Sequence, residues 1–262
     1  MTKKILRGHQ VADLTYYMMP GSEKCMNLSD AGTGKTGSVC VRAYQLSLDG
    51  VKTAWAMPKS LLKKNKDELI EFTNLEPDQI VIVDGTPQQR LEQIRRPAEV
   101  YLMGFQRWSE DWSTILDYQP TIRNCMVDEI HLGYKGPKSQ RTAGYWDSMR
   151  QMDFGIAMTG TLISGKLETA YPAIHAIEPR YYFDYTDFLN QHTIRDIWGE
   201  IISWTGHEKI RAILHRHGIR RSFEQVYGKE SVIYQIERCD MSPSQRKAYT
   251  EFEEKGIVEL EE

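Results

Sequence analysis

The stretch Ser29-Asp30-Ala31-Gly32-Thr33-Gly34-Lys35-Thr36 constrains this chain more than any other. Two glycines one residue apart let the backbone curl so that successive N–H groups point at an anion. Leu28 ends a short apolar run before the loop, and Gly37-Ser38-Val39-Cys40-Val41 continues into an expected helix. The first N–H donors and positive dipole end of that helix favour the same negative charge. Ala31, Gly32, Thr33 and Gly34 are the candidate phosphate cradle. Lys35 can reach the outer phosphates of ATP, and the Thr36 hydroxyl can bind Mg²⁺. Ser29 stands where such loops usually carry a glycine. The bland alternative is a glycine turn at a helix start followed by a lysine, so a second feature is needed.

That feature is Cys125-Met126-Val127-Asp128-Glu129-Ile130-His131. An apolar run ends abruptly in two carboxylates. In phosphate-loop NTPases an acid at a strand end holds Mg²⁺, and a neighbouring group positions the attacking water. Asp128 fits the first role and Glu129 the second. The alternative is a strand followed by a solvated acidic turn.

Taken together, these segments carry a resemblance. Asp128-Glu129-Ile130-His131 resembles the DEAH box of superfamily-two helicases and translocases. Met158-Thr159-Gly160-Thr161-Leu162 looks like their third motif, and Leu6-Arg7-Gly8-His9-Gln10 like the segment whose glutamine reads adenine. The Thr-Gly-Thr turn, the later Leu214 to Ser222 segment with paired Arg220 and Arg221, and the Met241 to Tyr249 pattern are most similar to the Swi/Snf-related ATPases. The resemblance runs nearly end to end. It implies a RecA-like ATP-binding lobe that works with ATP, Mg²⁺ and nucleic acid, DNA before RNA. It also implies an adenine contact at Gln10, nucleic-acid contacts at Lys59, Ser60, Gln106 and Arg107, and coupling through Thr159, Gly160 and Thr161. His131 would relay between the acidic box and the Thr-Gly-Thr turn, and Arg220 and Arg221 would face a second lobe or DNA.

Composition sets the bounds. The 262 residues are enough for one large or two small domains. Hydrophobic content of 40% and charged content of 26% are those of an ordinary globular protein. A net charge of −3 argues against nucleic-acid binding by bulk charge, so any such contact must come from local basic patches. Cys25, Cys40, Cys125 and Cys239 form no CxxC pair and read as core residues of a reducing compartment. No apolar run suits a membrane span or a leader, which points to an intracellular, soluble protein.

Along the chain, residues 5–19 read as a helix. Lys52 to Met57 is a run without alternation, as in a strand buried on both faces, and Pro58 stops it. Lys59 and Ser60 then open a helix; a simple cap is the alternative to a phosphate contact. Ile80 to Val83 and Val100 to Met103 are further strands. Thr86-Pro87-Gln88-Gln89 and Ser242-Pro243-Ser244-Gln245 are helix starts of the cap–proline–glutamine type. Gly104 to Trp108 reads as a turn and Gly133 to Lys138 as a loop before a helix over 139–152. Phe154 to Met158 is a strand feeding Thr159-Gly160-Thr161. Ile194 to Trp204 fits no pattern, Lys209 to His217 reads as a basic helix, and Ser231 to Ile236 as a last strand. Strands alternating with helices predict an open, mostly parallel sheet with helices on both faces. Ligands of such sheets sit at the strands' carboxyl ends.

The expected organisation is a core over 1–164, an extension with a last strand over 165–240 and, over 241–262, a helix leading toward an absent second RecA-like lobe. The chain therefore reads as an isolated first lobe, either an expressed fragment or half of a split enzyme. It should bind nucleotide weakly and hydrolyse it slowly, because arginine fingers from a second lobe contribute on the order of 10³–10⁵ in rate in related systems. Other readings are an RNA or DNA helicase of another superfamily-two branch and a non-catalytic nucleotide switch. A small-molecule kinase would explain neither the Asp-Glu-Ile-His box nor its order with Thr-Gly-Thr.

Overall fold

The computed structural model describes residues 3–163, 165–228, 237 and 239–255. It divides into two compact units, Met1–Gly228 and Lys229–Glu262. In the first, α1 (Gly8–Tyr17) is followed by β1 (Lys24–Asn27), the glycine loop and α2 (Lys35–Leu48). Next come β2 (Lys52–Met57), a 3₁₀ turn at Lys59–Leu61, α3 (Leu62–Phe72), β3 (Ile80–Val83), α4 (Pro87–Ile94), β4 (Val100–Gly104) and α5 (Phe105–Tyr118). Then follow β5 (Ile122–Val127), α6 (Ile130–Gly133), α7 (Gln140–Arg150), β6 (Phe154–Met158), α8 (Tyr171–Ile177) and α9 (Tyr185–His192). The unit closes with β7 (Thr193–Arg195), β8 (Ile201–Trp204), α10 (His207–Arg216), β9 (Gly218–Ile219) and α11 (Phe223–Tyr227). The second unit contains α12 (Pro243–Lys255).

Seven strands form one sheet in the order β3-β4-β2-β5-β6-β1-β9, with every pairing parallel. Neighbouring residues of one strand enter different cores, because successive side chains point to opposite faces. Trp55 and Met57 join α1, α2 and α3 on one face. Ala54 and Ala56 join α5, α7, α8 and α10 on the other. The double burial expected for Lys52 to Met57 is therefore present. All strands being parallel, their carboxyl ends share one edge, and the glycine loop, the acidic pair and Thr159-Gly160-Thr161 all follow strands on that edge.

Several local expectations shift. The helix expected over 5–19 spans only Gly8–Tyr17, since Met18-Met19-Pro20-Gly21 ends it in a turn. Gln106 and Arg107 sit in the first turn of α5 and not in a loop, because the helix starts directly at the end of β4. Ser60 lies in the 3₁₀ turn and caps no backbone group. The unassigned Ile194 to Trp204 region is an antiparallel hairpin, β7 with β8. β9 adds an edge strand to the main sheet where none was expected. Both cap–proline–glutamine starts form: Gln89 N donates to Thr86 Oγ1 at 3.3 Å, and Gln245 N to Ser242 Oγ at 3.3 Å. The strand expected at Ser231 to Ile236 lies outside the described residues. No helix among the described residues is long and apolar enough to cross a membrane.

Candidate functional site

The glycine loop is held in its curl by its own groups. Gly32 and Gly34 both have φ near +80°, a conformation that side-chain-bearing residues rarely adopt. Thr33 Oγ1 donates to Asp30 O at 2.8 Å, and Lys35 Nζ donates to the carbonyls of Ser29 (2.7 Å) and Asp30 (3.0 Å). These carbonyls mark an oxygen-binding position for the ammonium at the loop's centre. Lys35 opens α2, so its neighbours' free N–H groups face the same space.

Ser29, in the place of the usual glycine, has a use. Its Oγ accepts from Arg221 N at 3.1 Å, and Asp30 N donates to Arg221 O at 2.9 Å. Phe223 N donates to Asp30 Oδ2 at 3.1 Å. The segment after β9 thus straps the outside of the loop. Arg221 also pairs with the buried Asp13 on α1, Nε to Oδ1 at 2.6 Å. Arg221, expected to face a second lobe or DNA, makes this ion pair within its own lobe and keeps part of its side chain exposed. Arg220 is exposed and lines a groove of about 370 Å³ with Thr161, Leu162 and α10.

The acidic pair follows β5, with Asp128 N donating to Ala56 O at 2.9 Å. Asp128 is buried. Burial first, then the charge of Glu129, raises its carboxyl above the usual range, while Asn65 and Lys35 oppose that shift. Asn65 Nδ2 donates to Asp128 Oδ2 at 3.4 Å. Lys35 is lowered by burial and pulled back up by Glu129, Asp128 and Asp30. The two groups feel each other's charge. Glu129 has φ +49° and ψ +53°, the one positive φ outside glycine among the described residues. Such a backbone costs roughly 1–3 kcal/mol, and strain of this kind clusters at functional sites.

Lys35, Thr36, Ala31, Gly32, Gly34, Asp128, Glu129 and Gln10 line one cleft of about 720 Å³. Gln10 is no surface residue. It is buried, accepts from Arg7 N at 2.8 Å and donates to Gly34 O at 2.7 Å. A second, smaller cavity continues from Asp30 and Ala31 past Glu129 and His131 to Gly160 and Thr161. There His131 Nδ1 lies 3.3 Å from Glu129 Oε2, and the Thr161 N–H donates to Thr159 Oγ1 at 3.0 Å.

The remaining predicted residues lie elsewhere along the same edge. Lys59 pairs with Asp84 at 2.8 Å. Arg107 pairs with Glu110 at 2.8 Å, while Gln106 bonds Glu110 and accepts from Arg141 Nε at 2.9 Å. Sequence reasoning missed Asn65, Arg7 and Tyr227. Asn65 did leave a signal, a polar side chain on the same face of α3 as the buried Leu62 and Leu69.

Thr36 and Asp128, the candidate metal-binding pair, line the same cleft. Among the described residues no cluster of three or more His, Cys, Asp or Glu can hold a metal ion. That donor set suits Mg²⁺, which keeps waters and takes phosphate oxygens rather than an all-protein cage.

An all-parallel sheet whose carboxyl edge gathers a glycine loop, an acidic pair and a Thr-Gly-Thr turn defines a RecA-like α/β lobe. Residues 16–262 match the model of the SNF2-related domain, and the chain belongs to that family. The matched span begins after Gln10, which therefore rests on its local motif alone. No curated protein matches. Two solved structures from Sulfolobus solfataricus are similar. The SWI2/SNF2 ATPase core in complex with dsDNA is 18% identical with a TM-score of 0.66, over 84% of this chain and 45% of that one. The SWI2/SNF2 ATPase core domain is 17% identical with a TM-score of 0.61, over 97% and 52%. The Pyrococcus furiosus Hef helicase domain is 18% identical with a TM-score of 0.51, over 66% and 36%. This chain thus spans about half the length of the first two structures, and at these identities the likeness is one of fold.

Proposed function

We propose that this chain is the ATP-binding lobe of a DNA-dependent ATPase of the translocase type, a hydrolase completed by a second RecA-like lobe. The observation that carries it is the single cleft in which Lys35 and Thr36 meet Asp128 and Glu129. Lys35 and the amides of residues 31–36 hold the phosphates, and Thr36 and Asp128 hold Mg²⁺. Bound Mg²⁺ offsets charge on the outer phosphates. Glu129, which lines the cleft beside Asp128, orients the attacking water. Asp128-Glu129-Ile130-His131 is read as a DEAH-type box, with His131 as its relay to Thr159 and Thr161. Gln10, beside the loop, reads adenine. Lys59, Ser60, Gln106 and Arg107 share the strand-end edge and are read as DNA-backbone contacts. Arg220, exposed beside Thr161, is the remaining inter-lobe candidate. Residues 1–164 form the core and 165–240 its extension, while 241–262 lead toward the second lobe, whose arginines would complete the site. By itself this lobe binds nucleotide and turns it over slowly.

Calorimetry with MgATP tests the cleft: Lys35→Ala is expected to lower affinity by tenfold or more, on the order of a charge-assisted bond or two. Unchanged affinity would remove the phosphate-loop assignment. ATPase stimulation of the two-lobed protein by duplex DNA against duplex RNA tests the nucleic acid.

A further inference from the structure

We propose that Asn65 is a positioning residue for the metal site: its buried amide holds the Asp128 carboxylate in the orientation that takes Mg²⁺ beside the bound phosphates. This rests on the reading of the cleft as a MgATP site. Asn65 lies in the first turn of α3 and is 1% exposed. Its side chain bridges the ends of two neighbouring parallel strands. Nδ2 donates to Sδ of Met57, the last residue of β2, at 3.1 Å. It also donates to Oδ2 of Asp128, just past β5, at 3.4 Å. Asp128 lines the cleft together with Thr36, so the amide grips the carboxylate from its buried side.

The surroundings of Asn65 are apolar, with Leu62, Leu69 and Met57 buried in one core. A primary amide is costly to bury there unless its hydrogen bonds are made. The bonds to Met57 and Asp128 offset that cost. Lys35 does not hold the carboxylate, since its ammonium donates to the carbonyls of Ser29 and Asp30. Among the described residues, Asn65 gives Asp128 its one side-chain hydrogen bond. Without that bond the carboxylate could turn about two side-chain torsions. Mg²⁺ demands near-octahedral geometry, and partners that orient its ligands contribute on the order of 10–100-fold in metal affinity.

The test is calorimetry of ATP binding to the 262-residue chain, once in excess Mg²⁺ and once in EDTA. Asn65→Leu removes the amide and keeps a branched side chain that suits its apolar neighbours. It should weaken ATP about tenfold with Mg²⁺ and less than about twofold in EDTA. Asn65→Ala should show the same split, which keeps the test open should the leucine variant not fold. In an Asp128→Ala background, Asn65→Leu should change MgATP affinity no further, because the group it positions is gone. Equal losses with and without Mg²⁺ would overturn the proposal and leave Asn65 as packing for the cleft wall. So would unchanged MgATP affinity in both variants, or a loss in the Asp128→Ala background as large as in the parent chain. If Mg²⁺ adds nothing to ATP affinity in the parent chain, the metal reading of the cleft fails and takes this proposal with it. With that increment present, the other three outcomes count against Asn65 alone.

Discussion

His131 Nδ1 lies 2.7 Å from Thr159 Oγ1, which ties the turn after β5 directly to the turn after β6. The same ring reaches Glu129 at 3.3 Å and Thr161 at 3.4 Å. One imidazole therefore touches Glu129 and both threonines of Thr-Gly-Thr. His131→Ala should leave ATP affinity within about threefold. It should cut single-turnover hydrolysis by the two-lobed protein about tenfold or more, the pattern of an interaction made in the transition state. A matching loss of affinity would place the histidine in binding instead.

The charged form of Asp128 is disfavoured in the fold. Burial and Glu129 both disfavour its carboxylate, so its folded-state pKa lies above the unfolded one. Stability from this group then rises as pH falls, and a neutral isostere removes the penalty at pH 7. Asp128→Asn keeps an acceptor for Asn65 and should raise Tm by roughly a few degrees while hydrolysis is lost. Thermal melts and an ATPase assay of the two-lobed protein test the two halves separately, and a lowered Tm contradicts the first.

Gly160 is required by closeness. A Cβ there would stand 3.1 Å from Ala31 N and 3.4 Å from Ser29 O, which are backbone atoms of the glycine loop and cannot swing aside. Gly160→Ala should cost about 1–3 kcal/mol, as overpacking does, and weaken nucleotide binding in proportion. Urea unfolding with and without MgATP measures both effects. Wild-type values for both would mean the loop yields freely.

The Arg221–Asp13 pair joins α1 to the strap at 2.6 Å, with Asp13 buried. Arg221→Ala leaves that carboxylate without its counter-charge. A loss of about 1–3 kcal/mol is expected, below the full cost for a wholly buried pair because Arg221 is partly exposed. Asp13→Asn in the same background should recover much of it, by removing the stranded charge. Denaturant melts of the two variants decide this.

Acid should loosen the α8–β9 region first. His175, His192 and His217 all have pKa values lowered by burial. His192 Nδ1 donates to Thr205 O, leaving Nε2 to accept from Tyr182 Oη at 2.8 Å, a neutral tautomer. The folded state binds fewer protons than the unfolded one below about pH 6.5, so stability is complete above that value and declines as pH falls through it. Between pH 7.5 and 5.5, Tm should drop, and His192→Gln should flatten part of the slope. A flat wild-type profile contradicts this.

The doubly buried strands were legible because burial on both faces leaves an apolar run without alternation, as in Ala54 to Met57. That the glycine loop and the acidic pair share one cleft was legible because each is written in adjacent residues after a strand. β9 was not, since two residues carry no period. The β7–β8 hairpin hid because its Ile194, Ile201 and Ile202 are exposed, so apolar residues mark no inner face. Arg221 read as an outward cation because its partner, Asp13, lies 208 positions earlier. Tyr227 lacked a local signal for the same reason, its contacts being with Arg7 and Gly32.

The strand that leads into the glycine loop, β1, is bordered on one side by β6, from mid-chain, and on the other by β9, about 190 residues further along the sequence than β1 itself. Domains generally fold as units while the chain emerges amino end first. The loop of residues 29–36 is made early, yet the strap over its outer side arrives only with Ile219, Arg221 and Phe223. A ribosome must therefore release almost the whole first unit before the cleft can take its final shape, and nascent chains halted before that point should leave β1 as a bare, adhesive sheet edge.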